Sequence, residues 1–140
     1  MFKQKIFIAS FFTLVLVAVL NYFGSKFYWY WTYKWFDIPM HILGGLWISL
    51  ISLSLYSYFY NNVSIVNYKI KVLGVVLFAI LFIGISWEIF ELIGGITYFT
   101  DKGYWIDTVA DLINDTIGGL IAYLFFIKKR KCLTKLDCNK

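Results

Sequence analysis

Apolar residues fall in four long runs along this chain, at about Ile6 to Phe23, Ile38 to Phe59, Lys71 to Ile93 and Asp107 to Ile127. A helix rises ~1.5 Å per residue, so about 20 residues cover a ~30 Å hydrocarbon core, and each run is of that order. Lipid offers no hydrogen-bond partner to open backbone, so segments that span it must close their own bonds as helices. The pattern predicts an all-α protein: an integral membrane four-helix bundle of up-down topology. One transmembrane domain covers residues 1–127, and a short basic tail covers 128–140. Between the first two runs lies an aromatic segment, Lys26 to Phe36 (KFYWYWTYKWF), too short to fold alone. Trp and Tyr favour the headgroup level, where an apolar ring and a polar tip are both satisfied, so this segment is expected along the interface. A polar turn, Asn61 to Lys69, separates the second run from the third.

Composition agrees with this division. Hydrophobic residues make up 61% of the 140 and charged ones 15%, against roughly 25% charged in an ordinary soluble domain. Such a chain has too little polar surface to coat itself in water. The net charge of +5 would suit a nucleic-acid partner, but the basic residues sit where topology needs them. The N-terminus, second connection and tail hold Lys3, Lys5, Lys69, Lys71, Lys128, Lys129, Arg130, Lys131, Lys135 and Lys140, whereas the other two connections hold only Lys26, Lys34 and Lys102. By the positive-inside rule both termini are cytoplasmic in a multi-pass protein of the cell membrane, with membrane lipid as the partner and no nucleic acid. Lys3 and Lys5 ahead of an apolar stretch resemble a signal peptide, but no small-residue cleavage site follows, and the stretch reads as the first span. Cys132 and Cys138 lack a His or second Cys pair to complete a zinc site and read as free cytoplasmic thiols.

The acidic residues are biased the other way, which topology does not require. Of eight, only Asp137 falls on the cytoplasmic side; Asp37, Glu88, Glu91, Asp101, Asp107, Asp111 and Asp115 fall in the outer connections or outer helix ends. Asp37 and His41 are four apart and share a face of the second span; Glu88 and Glu91, three apart, share one on the third. Asp107, Asp111 and either Asn114 or Asp115 continue the pattern on the fourth. Each group precedes a glycine pair, Gly44-Gly45, Gly94-Gly95 and Gly118-Gly119. Small residues let membrane helices approach closely, so the polar faces are expected to meet at a tight junction. Asp37 before Ile38-Pro39, and Asp107 at the start of the fourth span, could equally be N-caps. Asp101 reads as a solvated loop charge. Glu88, Glu91 and Asp111 are accounted for by neither, and a carboxylate within a span costs on the order of 2.5 to 3.5 kcal/mol even on lenient scales.

One imidazole among many oxygens is a poor structural zinc site but suits Mg²⁺, Mn²⁺ or Ca²⁺, or a catalytic zinc with carboxylate ligands. His41, Glu88, Glu91 and Asp111 are the candidate ligands of such a divalent cation. The ion could hold a phosphate-bearing lipid headgroup or activate water as a metal-dependent hydrolase does. Without an ion, crowded carboxylates share protons, which suits a proton-linked transporter or channel subunit. Four helices enclose only a narrow pore, so that reading also requires a homo-oligomer. A third reading is purely structural, with interhelical hydrogen bonds worth roughly 0.6 to 2 kcal/mol each. The chain contains no Gly-rich phosphate loop, no GxSxG, no HExxH and no CxxC.

The elements Asp37-x3-His41-x2-Gly44, Trp87-Glu88-x2-Glu91, Gly103-x-Trp105-x-Asp107-Thr108-x2-Asp111 and Gly118 resemble the pattern of the YjdF-like membrane proteins, often grouped with the VanZ-like proteins. The similarity spans about Asp37 to Phe126. It implies a multi-helix membrane protein with the same intramembrane polar cluster, and it supplies no activity. The chain is shorter than is usual in that group, with four spans.

Overall fold

The computed structural model describes residues 2–60, 65–100 and 102–137. It is all-helical, with no strand among the described residues: α1 (Phe2–Lys26), a short α2 (Trp29–Thr32), a 3-10 turn (Lys34–Phe36), α3 (Asp37–Phe59), α4 (Ile65–Gly94) and α5 (Tyr104–Asp137). Four segments, Gln4–Lys26, Lys34–Phe59, Tyr68–Gly94 and Tyr104–Lys129, are long and apolar enough to cross a membrane, in agreement with the four runs. The helices overrun the expected ends, most of all at α5, which continues unbroken to Asp137. An apolar run measures only the stretch compatible with hydrocarbon, whereas Lys, Arg and Leu prolong a helix beyond it because they lose little freedom there. The segment after Ile127 is therefore a continuation of the last helix as far as Asp137, while the stretch apolar enough to span ends at Lys129. Cys132 lies on it, while Cys138, Asp101 and Asn61 fall outside the described residues. The aromatic segment folds into α2 and the 3-10 turn, entered through Tyr28 in the left-handed region at φ 59°.

Helix α3 lies at the centre. α1, α4 and α5 all pack on it, and α5 also closes on α4. The contacts give the relative directions. His41 meets Asp111, Gly45 meets Asp115, and Ser49 lies beside Gly119, so positions rise together and α3 and α5 run parallel. Against α4 the order reverses: Thr108 meets Glu88, Leu112 lies beside Gly84, Ile80 beside Gly119, and Tyr123 reaches the Lys69 carbonyl. One end of the bundle thus gathers the N-termini of α3 and α5 with the C-terminus of α4. That end is polar. Toward the other end, Ile6 of α1, Leu53 of α3, Val72, Val76 and Ile80 of α4, and Phe126 of α5 form the apolar core. Large apolar side chains such as Phe78 and Ile93 point outward, 71% and 83% exposed, a surface that suits lipid and would aggregate in water.

Two of the three glycine pairs make the close approach expected of them. A β-carbon on Gly45 would run into the backbone of Asp115, and one on Gly118 into the carbonyl of Ile42. Two helix backbones touch there because each presents hydrogen where a side chain would stand. The pair Gly94-Gly95 does something else. Gly95 has φ +66°, the Ile96 amide donates to the Glu91 carbonyl at 2.9 Å and the Gly95 amide to the Leu92 carbonyl at 3.3 Å. This is a Schellman cap ending α4, for which a residue without a β-carbon is preferred. The small residue α4 presents to α5 is Gly84 instead, where a β-carbon would lie 3.2 Å from Asp115 Oδ2.

Candidate functional site

The acidic residues reach the polar end by two routes. At α3 the chain is already helical at Phe36, which makes no side-chain cap, so Asp37 lies within the first turn and is not its N-cap. Gly103, at φ +97°, turns the chain into α5. The Asp107 amide donates to the Gly103 carbonyl at 3.0 Å, so Asp107 too is inside its helix, and its side chain is exposed. The carboxylates that turn inward lie one and two turns deeper, at Asp111 and Asp115, 7% and 6% exposed.

His41 is the hub. Its Nε2 lies 3.5 Å from Asp111 Oδ1 and 3.7 Å from Asp37 Oδ1, while its Nδ1 lies 3.4 Å from Asp115 Oδ1. The glycine contact explains this geometry: with Gly45 pressed on the Asp115 backbone, the Asp115 carboxylate is carried up beside the ring one turn earlier on α3. Asp37, His41 and Asp111 each offer one ligand atom, and the three atoms lie within 4.8 Å of one another. Among the described residues no Lys or Arg pairs with these carboxylates. An imidazole with a carboxylate at both nitrogens satisfies them by donating from both, or by donating from Nδ1 while Nε2 and the oxygens opposite share a cation.

Of the four expected ligands, His41 and Asp111 come together, and Asp37 joins them. Glu88 and Glu91 are engaged elsewhere. Glu88, 8% exposed, accepts a hydrogen bond from Thr108 Oγ1 at 2.7 Å, and Glu91 accepts one from Trp87 Nε1 at 2.9 Å. Asn114 is half-buried on α5 and stands outside the group of three. Thr108 was not among the expected site residues, although its spacing from Asp111 and Asp115 puts all three on one helix face. Trp87 lies one turn before Glu91 on the same helix.

Tyr30 also belongs to this end. It is half-buried, and burial together with the negative charge of Asp37 and Glu91 pushes its phenol up to about 12. The ring therefore sits where it feels a carboxylate from α3 and another from α4.

Neither a search of curated proteins nor one of solved structures finds a match to this chain. The profile of the family described as Predicted membrane protein (DUF2238) matches residues 3–131, nearly the whole chain, and the protein belongs to that family.

Proposed function

We propose that the polar end binds a divalent cation through His41 Nε2 and the carboxylates of Asp37 and Asp111. The observation that carries this reading is the placement of Asp115 on Nδ1, the far side of the same ring. A metal-ligating histidine nearly always donates its other N–H to a carboxylate or carbonyl, which fixes the ring and raises its basicity. Three protein ligands leave positions open, and one nitrogen with carboxylate oxygens suits Mn²⁺ or Zn²⁺ better than a closed structural site. We place this end at the outer face of the cell membrane, with both termini cytoplasmic in an up-down bundle, because the basic residues concentrate at the opposite side. The open positions would take a phosphate-bearing lipid headgroup, and water bound there would be activated for attack on a phosphate or ester. Within its family we read the chain as YjdF-like. The expectation that Glu88 and Glu91 are ligands becomes a proposal that they flank the ion, held off by Thr108 and Trp87.

Titration calorimetry of the purified protein with Mn²⁺ and with Zn²⁺ tests the site. Saturable binding is expected, abolished by His41→Ala and weakened about 10- to 100-fold by Asp115→Asn, as for other outer partners of a ligating histidine. Wild-type protein that binds neither ion overturns the reading. The proton-linked alternative, in which His41 relays between Asp111 and Asp115, would then be tested by proton flux in proteoliposomes.

A further inference from the structure

The end of the bundle opposite His41 carries a second concentration of charge, of the other sign. One contact marks its level inside the bundle: the ring of Tyr68 on α4 stacks on that of Phe126 on α5, with centroids 6.2 Å apart. Ile6 of α1 belongs to the same buried cluster. Lys69 and Lys71 follow Tyr68 by one and three residues, Lys128 and Lys129 follow Phe126 by two and three, and Lys5 immediately precedes Ile6. At ~1.5 Å per residue, each of these lysines stands within about 5 Å, along its own helix, of a residue in that cluster. Tyr68, Phe126 and Ile6 are buried, whereas Lys5, Lys69, Lys71 and Lys128 are exposed and Lys129 is half-buried. Lys129 Nζ lies 5.1 Å from the centroid of the Phe125 ring, which holds the ammonium at the edge of the apolar surface. The lysines lie at the limits of three membrane-length segments, Gln4–Lys26, Tyr68–Gly94 and Tyr104–Lys129. Among the described residues none of them is paired with a carboxylate. The nearest acidic residue in sequence, Asp137, lies eight residues beyond Lys129 on the same helix, about 12 Å along the axis.

We infer that this collar of lysines binds the anionic headgroups of phospholipids in the leaflet at that end. Charge complementarity carries the choice of partner. The ammonium groups stand where hydrocarbon gives way to headgroups, the protein neutralises none of them among its described residues, and anionic phospholipid supplies the fixed negative charge of that depth. A basic cluster directly beyond a transmembrane helix gains about 5-fold in affinity for anionic lipid per lysine, and the attraction falls off within a Debye length. Topology asks for less than this. The positive-inside bias counts basic residues anywhere within about 15–20 residues of a span's end, and does not require them at one depth on three helices. Because the lysines are spread over α1, α4 and α5, they form a surface for several headgroups and not a pocket for one. This surface lies away from the polar end and does not rest on the cation-binding reading.

The experiment compares spin-labelled phosphatidylglycerol with spin-labelled phosphatidylcholine, each as a minor probe in phosphatidylcholine vesicles carrying the purified protein and no divalent cation. The share of probe whose motion is restricted at the protein surface gives the relative association of the two lipids. At an ionic strength of ~0.01 M, wild type is expected to prefer phosphatidylglycerol by about 5-fold. The preference should fall to about 2-fold in Lys69→Gln/Lys71→Gln and in Lys128→Gln/Lys129→Gln, and vanish for wild type in ~1 M salt, where the Debye length is ~3 Å. Lys26→Gln/Lys34→Gln, at the opposite end, should leave it unchanged. Each pair variant keeps the other pair, and with it the charge bias that orients the chain, while the salt measurement needs no variant. A wild type without preference overturns the inference, as does a preference that survives ~1 M salt. So does one that neither pair variant reduces, or one that disappears with Lys26 and Lys34.

Discussion

The two ends of the bundle are held together in different ways. Toward the apolar end, side chains fill the space: Ile6, Leu53, Val72, Val76, Ile80 and Phe126 interdigitate, with Tyr56 and Tyr68 ring against ring at 6.0 Å. At the polar end, side chains are removed from the α3–α5 contact so that backbones touch, with Gly45 on Asp115 and Gly118 on Ile42. In a soluble protein the first arrangement would dominate stability. Lipid tails are as apolar as leucine, so apolar burial gives no transfer gain between membrane helices, and close packing and interhelical hydrogen bonds remain. The glycine contact therefore contributes to stability beside the apolar core, and it carries the Asp115 carboxylate to His41.

The sharpest way to break this comparison is Gly118→Leu. A side chain there meets the Ile42 carbonyl, backbone that cannot swing aside. Overpacking of a rigid contact costs typically 1–3 kcal/mol and more where nothing gives, so a loss of about 3 kcal/mol or more is expected in steric-trapping or denaturant unfolding, with cation binding lost as well. Leu53→Ala, in the fully buried centre of the apolar part, is expected to cost about 1–3 kcal/mol. That is below the 2–5 usual for such a truncation in water, because the cavity remains but the transfer term does not. Its cation affinity should be that of the wild type. Thr108→Val has the smallest expected effect, about 1 kcal/mol for the lost bond to Glu88, read as a small drop in melting temperature. Equal losses in the glycine and leucine variants, with equal damage to the site, would remove the distinction between the two ends.

Much of this was legible in the sequence because hydrophobic length and helical spacing depend on one helix at a time. The four spans, the shared face of Asp37 and His41, and that of Asp111 and Asp115 follow from counting residues. What counting cannot supply is rotation about the partner's axis. Glu88 and Asp111 both face inward, yet one turns to Thr108 and the other to His41, and spacing on α4 or α5 alone does not choose between them. The glycine pairs make the same point. Identical dipeptides at 44–45 and 94–95 serve as contact and as terminator, and the difference appears only in the positive φ of Gly95. The hydrogen bond from the Tyr30 hydroxyl to Asn21 Oδ1 joins the aromatic connection to α1, and the apolar run that marks α1 as a span gives no sign of it.

The parallel course of α3 and α5 carries one more consequence. Each helix begins at the polar end with its free amides and the positive pole of its peptide dipoles, about half an elementary charge apiece, and Asp37 and Asp107 lie in those first turns. Helices α1 and α4 end where α3 and α5 begin, with Gly24 against Phe36 and Glu88 against Thr108, so their negative poles offset the positive ones. Among the described residues it falls to the His41 imidazole, set between Asp37, Asp111 and Asp115, to keep three carboxylates from facing one another directly.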